Sequence, residues 1–404
     1  MNISRRRVLS GLSATAGLAV APGVNVSFAA DGAPARDVLV VVFQRGACDW
    51  LQMLSPAGDI FYQNARRSIR VQLTGANAGI GVGTLDGTDF YLSASAPELK
   101  PLYDSGKLAF VHATGLHTVD RSHFTCQANM EMGTADADPA MNSGWLARHT
   151  ASVGVPKDLS VVAQGSTTPT SLLSQPASVA IADPSSFNVS GGAANANVMR
   201  LLNASGTKTA YKDAALKTLT TIQDVQTGLT GFQDPSGTAG YTGGSFSASL
   251  RAVGRLIRMN VGVDVVTVDY GGWDMHNNLV NEFAARTTEF SRALSAFWTD
   301  MANFQDRITL VTMTEFGRRF QENANQGTDH GSASGMLILG GNVKGGKIYG
   351  TWPGLAPAAL NSGDLAVTTD YRQVLAETIV KRHAETKLES VFPTLKYAPL
   401  GIFA

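Results

Sequence analysis

The chain has 404 residues, of which 44% are hydrophobic and 16% are charged. Its 32 basic and 32 acidic residues balance to a formal net charge of zero, so it lacks the overall positive field that would attract nucleic acid or an anionic membrane. This composition is typical of a globular protein with enough apolar residues for one large α/β domain or two smaller ones.

The first thirty residues resemble an export signal. Three arginines at 5–7 precede a mildly apolar stretch at 9–20, and small residues near Ala29 suit cleavage. The alternative is a weak membrane anchor, but this stretch is too short, and no later one approaches the ~20 apolar residues that span a bilayer. We therefore expect a twin-arginine signal peptide at 1–30, the matching export machinery as a partner, a periplasmic or secreted protein, and no stable membrane span.

Predicted strands and helices alternate along residues 36–150 and again along 263–385, which favours a parallel sheet. Residues 150–262 carry few charges and form either a cap inserted over a site or sheet helices with long loops. Residues 386–404 are interpreted as a C-terminal tail. The predicted strands are 38–43, 108–113, 160–162, 178–181, 263–269, 308–313 and 336–339. The predicted helices are 97–104, 122–132, 198–203, 213–228, 245–260, 281–303 and 371–382.

Acidic and imidazole side chains lie next to the ends of these strands. Asp49 follows the first strand, Asp274 and His276 follow a later one, and Asp329 and His330 directly precede the last. If all of these strands are parallel, the side chains meet at the sheet edge where α/β proteins bind ligands. Grouped carboxylates and imidazoles need a cation, and this mixture suits Zn²⁺, Mn²⁺ or Fe. The sequence therefore predicts a metal site formed by these five residues.

Each of these groups also has a structural interpretation. Asp274 and His276 would then form a hydrogen bond that fixes a turn, and Asp329 would close an Asx-type turn. Asp49 would pair with Arg45, which otherwise is free to bind an anionic substrate group with two hydrogen bonds.

The segment Arg121-Ser122-His123-Phe124 opens a predicted helix. Ser122 suits the N-cap position. The same hydroxyl, beside a metal, is a candidate nucleophile, because a helix N-terminus stabilises an anionic ester. His112, His117 and His123 are three imidazoles near the same edge, each interpreted by itself as a hydrogen-bonded loop histidine.

Three further residues each allow two interpretations. Glu315 either ligates a metal or forms an ion pair with Arg318, and we favour the pair. Cys48 and Cys126 are the two cysteines of the chain. They form either a disulfide, which an oxidising compartment permits, or two buried free thiols.

Five short motifs follow one another along residues 36–385. They are Arg-Gly-x-x-Asp at 45–49, Arg-Ser-His-Phe at 121–124, Gly-Gly-Trp-Asp-x-His at 271–276, Glu-Phe-Gly-Arg at 315–318 and Gly-Thr-Asp-His-Gly at 327–331. In this order they resemble a bacterial, twin-arginine-exported family, domain of unknown function 1501 (DUF1501), placed in the alkaline phosphatase and sulfatase superfamily. The resemblance implies a single alkaline phosphatase-like domain at 36–385, an α/β/α sandwich with a mostly parallel central sheet.

The resemblance also implies a function. Superfamily members hold one or two divalent metals with Asp and His and transfer phosphoryl or sulfuryl groups. The expected activity is that of an exported metal-dependent hydrolase of phosphate or sulfate esters, with a small anionic ester as substrate and Zn, Mn, Mg or Ca as cofactor. Ser122 takes the nucleophile position, and Arg45, Arg121 and His123 are the other expected catalytic groups.

Three departures from the superfamily pattern define an alternative. Asp274 and His276 are two residues apart instead of four, Ser332 and Ser334 stand where many relatives have a further histidine, and the residues around Ser122 do not match a phosphatase nucleophile motif. The alternative is a non-catalytic exported protein that keeps the fold, with a degenerate or structural metal site, and binds another exported protein or a glycan.

Overall fold

The central sheet, in the part of the chain that the structure describes, has nine strands. This computed structural model describes residues 36–117, 120–135, 141–155, 159–204 and 209–404, so the expected signal peptide at 1–30 lies outside the described residues. The sheet contains β1 (Val38–Gln44), β5 (Leu108–Gly115), β6 (Val161–Gln164), β7 (Ser178–Ile181), β8 (Val265–Tyr270), β9 (Ile308–Met313), β10 (Ser334–Gly340), β11 (Ile348–Tyr349) and β12 (Thr369–Asp370). A separate antiparallel sheet contains β2 (Leu54–Ser55), β3 (Ile80–Leu85) and β4 (Thr88–Leu92).

The strand order of the central sheet is β11-β5-β10-β9-β1-β8-β6-β7, with β12 also paired to β5. All pairings are parallel except those of β10, which is antiparallel to both β9 and β5. The prediction of a mostly parallel α/β sheet is confirmed, but the expectation that the run 336–339 is a parallel strand is wrong. Residues 314–333 contain no helix, and a parallel neighbour requires a longer, usually helical, crossover.

Helices cover both faces of this sheet. They are α1 (Trp50–Met53), α2 (Ile60–Ala65), α3 (Leu99–Asp104), α4 (His123–Met132), α5 (Trp145–Val153), α6 (Gly192–Ala204), α7 (Ala210–Leu229), α8 (Ser245–Arg258), α9 (Leu279–Asp300), α10 (Tyr371–Arg382) and α11 (Leu388–Val391). Alternate residues of β1 belong to two buried clusters, one shared with α8 and α9 and the other with α5 and α10. A strand that is buried on both faces reads as a continuous apolar run, as Val38–Phe43 does.

Residues 150–262 contribute β6 and β7 to the central sheet. This agrees with the interpretation of this segment as part of the sheet layers with long loops, rather than as an inserted cap. The tail at 386–404 is anchored, because the Glu377 carboxylate accepts hydrogen bonds from the backbone N–H groups of Leu400, Gly401 and Phe403. No helix in the described part of the chain combines the length and the apolar character needed to cross a bilayer.

Candidate metal centre

Three histidines and one aspartate meet at the carboxyl-terminal edge of the central sheet. His123 begins α4, after β5, while Asp274 and His276 follow β8. His330 lies in the loop between β9 and β10. Because β10 is antiparallel to its neighbours, its first residues lie at the edge where the parallel strands end. The antiparallel strand is therefore the reason that His330 reaches the same place as the other three residues.

Neighbouring ligand atoms within this group are separated by distances typical of ligands around one metal ion. His330 Nε2 lies 3.1 Å from the Nε2 atoms of both His123 and His276. Asp274 Oδ1 lies 2.9 Å from His276 Nε2 and 3.2 Å from His330 Nε2, and its Oδ2 lies 3.5 Å from His123 Nε2. Tetrahedral bonds of about 2.0–2.1 Å place ligand atoms roughly 3.3 Å apart. His123, Asp274 and His330 therefore each place one ligand atom close enough to the others to hold a metal ion, and His276 Nε2 lies beside the ligand atoms of Asp274 and His330.

The outer nitrogen of each imidazole, Nδ1, faces an oxygen that can only accept a hydrogen. The three contacts are His123 Nδ1 to Glu315 Oε1 at 2.8 Å, His276 Nδ1 to Asp329 Oδ1 at 3.0 Å, and His330 Nδ1 to the Arg121 carbonyl oxygen at 2.9 Å. Each Nδ1 therefore carries the hydrogen, so that Nε2 is the nitrogen that can ligate an ion. Arg318 Nη1 lies 3.4 Å from His276 Nε2, and anchoring of the outer nitrogen is the usual arrangement of metal-ligating histidine. The donor set fits a transition metal.

Arg318 fixes Asp274 at this site. Its buried guanidinium donates to Asp274 Oδ1 and to the carbonyl oxygens of Gly46, Ala47 and Thr328. Burial alone would raise the pKa of Asp274, but the hydrogen bond and charge of Arg318 outweigh it and lower the pKa to about 2. Asp274 is therefore ionised at neutral pH. Arg318 pairs with Asp274 and not with Glu315, so the favoured Glu315 pair is wrong.

Asp49, predicted as a metal ligand, lies in a buried ion pair instead. Arg66 Nη1 donates to Asp49 Oδ2 at 2.8 Å, and Thr328 Oγ1 donates to the same oxygen at 3.0 Å. The side chains of Asp49 and Arg66 are 3% and 0% exposed. The other Arg66 donors bind the carbonyl oxygens of Phe320 and Arg319. The carboxylate of Asp49 is thus neutralised by a guanidinium, and we leave it out of the ligand set.

Arg45 does not form the alternative ion pair with Asp49 either. Its guanidinium binds Glu131 at 3.1 Å and Asp269 at 2.9 Å, and it also donates to Gln127. These partners already occupy Arg45, so the structure does not place it as an anion-binding group.

Ser122 and Arg121, beside the candidate metal centre, have structural partners. The Ser122 hydroxyl accepts a hydrogen bond from the Thr125 N–H, so the predicted N-cap is confirmed. Arg121 pairs with Asp364, whose other oxygen binds Arg319 Nη1 at 2.9 Å. Asp364 is fully buried, while about a third of each arginine side chain is exposed. The sequence did not indicate Arg319 or Asp364, because neither stands in a recognisable motif.

The family of the chain is shown by a match to a protein-family model. The model described as "Protein of unknown function (DUF1501)" matches residues 143–385. The chain belongs to this family. The matched segment contains Asp274, His276, Arg318 and His330 of the candidate centre, while His123 precedes it. The predicted family is thereby confirmed for this DUF1501 protein.

Solved structures similar to this DUF1501 protein have low sequence identity to it. The structure titled "Crystal structure of Ps i-CgsB" is 9% identical, with a TM-score of 0.39, and the match covers 89% of this chain and 74% of that one. Alkaline phosphatase from the Antarctic bacterium TAB5 is 9% identical, with a TM-score of 0.31 and coverages of 78% and 95%. The lipoteichoic acid synthase LtaP from Listeria monocytogenes is 9% identical, with a TM-score of 0.33 and coverages of 87% and 79%. A search of curated proteins found no match.

Glu315 orients His123 in this DUF1501 protein. Its buried carboxylate accepts hydrogen bonds from the Gly46 N–H at 2.9 Å and from Gln127 Nε2 at 2.8 Å, in addition to His123 Nδ1. Burial would raise the pKa of Glu315, but these bonds, that of His123 first, outweigh it and lower the pKa. The bond to Glu315 also raises the pKa of His123. Glu315 thus acts on the candidate metal centre through His123.

Replacing Glu315 with glutamine should weaken metal binding by roughly 10- to 100-fold, as losses of such orienting carboxylates do. The amide removes the negative charge that stabilises the Nδ1–H tautomer of His123. Competition with a chromophoric chelator measures the affinity, and Glu282→Gln, at an exposed glutamate in the first turn of α9, is the matched control. Equal affinities of wild type and Glu315→Gln would contradict this role.

The two cysteines are free and buried. Cys48 belongs to the core cluster on one face of the sheet and Cys126 to the cluster on the other. Burial raises the pKa of the Cys126 thiol to about 12, so this thiol is protonated at neutral pH. Of the two interpretations of the cysteines, the structure has the free thiols.

Proposed function

We propose that this DUF1501 protein is an exported, metal-dependent hydrolase of phosphate or sulfate esters. The observation that carries the proposal is the convergence of three anchored imidazoles and Asp274. Imidazole nitrogens with one carboxylate favour Zn²⁺, Mn²⁺ or Fe over Mg²⁺ and Ca²⁺, which prefer oxygen ligands. When bound, such a metal polarises the ester oxygen and lowers the pKa of the attacking hydroxyl or water.

The ligand side chains are accessible from solvent. The exposed fractions are 45% for Asp274, 41% for His276, 25% for His330 and 23% for His123. Structural zinc sites are closed, whereas catalytic sites leave a position open for water or substrate. The partial exposure therefore supports a site that a small ester can enter.

The surrounding groups suit an anionic ester. Arg121 and Arg319 are held side by side by Asp364 and keep part of their guanidinium surface exposed, so they would attract the anion and offset developing negative charge. The Ser122 hydroxyl accepts the cap bond through its oxygen, so its own hydrogen is available for transfer. We propose Ser122 or a water molecule as the nucleophile.

The direct test is an assay of the metal-stripped full chain, reloaded separately with Zn²⁺, Mn²⁺, Fe²⁺, Mg²⁺ and Ca²⁺, on generic phosphate and sulfate monoesters. We expect turnover with a transition metal, loss on chelation and recovery on reloading. If Ser122 is the nucleophile, Ser122→Ala abolishes turnover, whereas Ser122→Ala with full turnover assigns the attack to water. A folded, metal-loaded protein without turnover on either ester class would contradict the hydrolase.

A non-catalytic exported binding protein is the second candidate. Ser332 stands at a position where many superfamily members have a further histidine. Its hydroxyl donates a hydrogen bond to Asp364 at 3.1 Å. Metal content separates the two candidates. A firmly held metal with an exchangeable water favours the hydrolase, and a closed site or no metal favours the binding protein.

We also propose that residues 1–30 direct export through the twin-arginine pathway. The arginines at 5–7 support this proposal. Substituting all three with lysine should leave the precursor uncleaved in the cytoplasm, which cell fractionation and the mass of the N-terminal peptide measure. Normal export of the lysine variant would contradict it.

A further inference from the structure

A cavity of about 300 Å³ lies at the opposite edge of the sheet from the candidate metal centre. Asp37 and Asp264 line it where β1 and β8 begin, His149 lines it from α5, and His383 and Glu385 line it just after α10. The seven residues of β1 separate the two edges by roughly 23 Å. This cavity therefore belongs to a different part of the molecule from the proposed ester site.

Two imidazole nitrogens in this cavity have no hydrogen-bond partner among the described residues, namely Nε2 of His149 and Nε2 of His383. His149 is fully buried. Its Nδ1 lies 2.9 Å from Glu385 Oε2, so Nδ1 donates to the carboxylate and Nε2 is the nitrogen that can ligate an ion. An unpartnered polar atom in a buried position is energetically costly, which indicates a ligand, an ion or ordered water at this place.

Glu385 holds His149 in the same way that Glu315 holds His123 at the other edge. Its second oxygen accepts from the Ser152 hydroxyl at 2.8 Å and from two backbone N–H groups. Burial would raise the pKa of Glu385, but these bonds, that of His149 first, lower it to about 2. The outer nitrogen of His149 is thus anchored by an ionised carboxylate, as in metal-ligating histidine.

The cavity is lined by charged groups of both signs. Arg382 pairs with Asp37 at 2.9 Å, and Arg36 lies 3.9 Å from Asp264, so the carboxylate of Glu385 is the one that no arginine offsets. Burial, with the positive groups nearby, lowers the pKa of His383 to about 3. The His383 ring is therefore neutral at physiological pH, so its unprotonated nitrogen carries a lone pair.

The ring geometry allows both imidazoles to bind one ion. Their centroids lie 5.7 Å apart with an interplanar angle of 88°. With metal–nitrogen bonds of about 2.0–2.1 Å, two imidazoles on one ion have centroids roughly 5–6 Å apart. We propose that His149 and His383 form a second transition-metal site, which takes a late first-row divalent ion such as Cu²⁺, Ni²⁺ or Zn²⁺ with water completing its coordination.

The seven histidines make this proposal testable with one spectroscopic probe. The metal-stripped full chain is titrated with Cu²⁺ and followed by electron paramagnetic resonance, in which ligating imidazole nitrogens split the copper signal. Wild type should bind two equivalents. A His123→Ala/His330→Ala variant should keep one of them, and adding His383→Gln should weaken that one at least 10-fold. His117→Gln, at an exposed histidine, should leave both equivalents unchanged.

Two results would overturn the proposal. One is that the His123→Ala/His330→Ala variant still binds one equivalent of Cu²⁺ after His383→Gln is added and also after His149→Gln is added. The other is a wild type that binds a single equivalent, which assigns ordered water to the cavity. Circular dichroism verifies that each variant is folded. His383 is the less buried of the two histidines, so His383→Gln still tests the site if His149→Gln unfolds. The outcome does not depend on ester hydrolysis, so it stands apart from the proposed function.

Discussion

An Asp274→Ala/His330→Ala variant is expected to lose the tightly bound transition metal and all metal-dependent turnover. The two residues supply an oxygen and a nitrogen that lie 3.2 Å apart. Four-ligand transition-metal sites bind with about 10–16 kcal/mol. Removing half of the ligands should therefore lower the affinity by at least roughly 10³-fold. Elemental analysis after gel filtration, and chelator competition, measure the loss.

Two matched variants make this result specific. Asp274→Asn keeps a hydrogen-bond acceptor for Arg318 and removes only the charged ligand, so it should lose metal without loosening the loops that Arg318 joins. His117→Ala removes an exposed histidine and should keep the metal. The comparison is made in a His383→Gln background, so that the far cavity contributes no metal. Equal metal in the double variant and its background would refute the ligand assignment.

Much of the fold was predictable because the signals that determine it are local. The continuous apolar runs of β1 and β9 and the alternation with helices indicated a parallel sheet buried on both faces, and the ends of β1, β7 and β9 lie within one residue of their predicted ends. The direction of β10 was not predictable from its own residues, because strand periodicity is the same in both directions. Only the absence of a helix in 314–333 indicated it.

The sequence was enough to predict which residues gather at the site, but not the hydrogen-bond partners that hold them there. Asp274, His276 and His330 stand in glycine-rich motifs next to strand ends, and they do converge. Two of these glycines also have a packing reason: a Cβ on Gly327 would lie 2.2 Å from the His276 carbonyl carbon, and one on Gly331 2.3 Å from that of Arg318. Such contacts between distant segments leave no local pattern, as the pairing of Glu315 with His123 also illustrates.

The partner of Asp49 was also not predictable from the sequence. Asp49 forms a buried ion pair with Arg66, and breaking this pair should have a large effect on stability. Arg66→Met should destabilise the protein by about 3–5 kcal/mol, because it leaves a buried carboxylate without its partner. Asp49 and Arg66 are both almost fully buried, and Arg66 also links this edge to the carbonyl oxygens of Arg319 and Phe320. Urea unfolding followed by tryptophan fluorescence measures the free energy of unfolding.

The double variant Asp49→Asn/Arg66→Met separates the ion pair from a role in metal binding. With the charge of Asp49 also removed, most of the stability lost in Arg66→Met should return, since a neutral amide costs less to bury than a carboxylate. Asp49→Asn alone should retain its metal at wild-type affinity, because the carboxylate is already bound by Arg66 and Thr328. If Asp49→Asn instead loses metal as Asp274→Asn is expected to, then Asp49 is a ligand after all, and the centre is larger than the three histidines and Asp274.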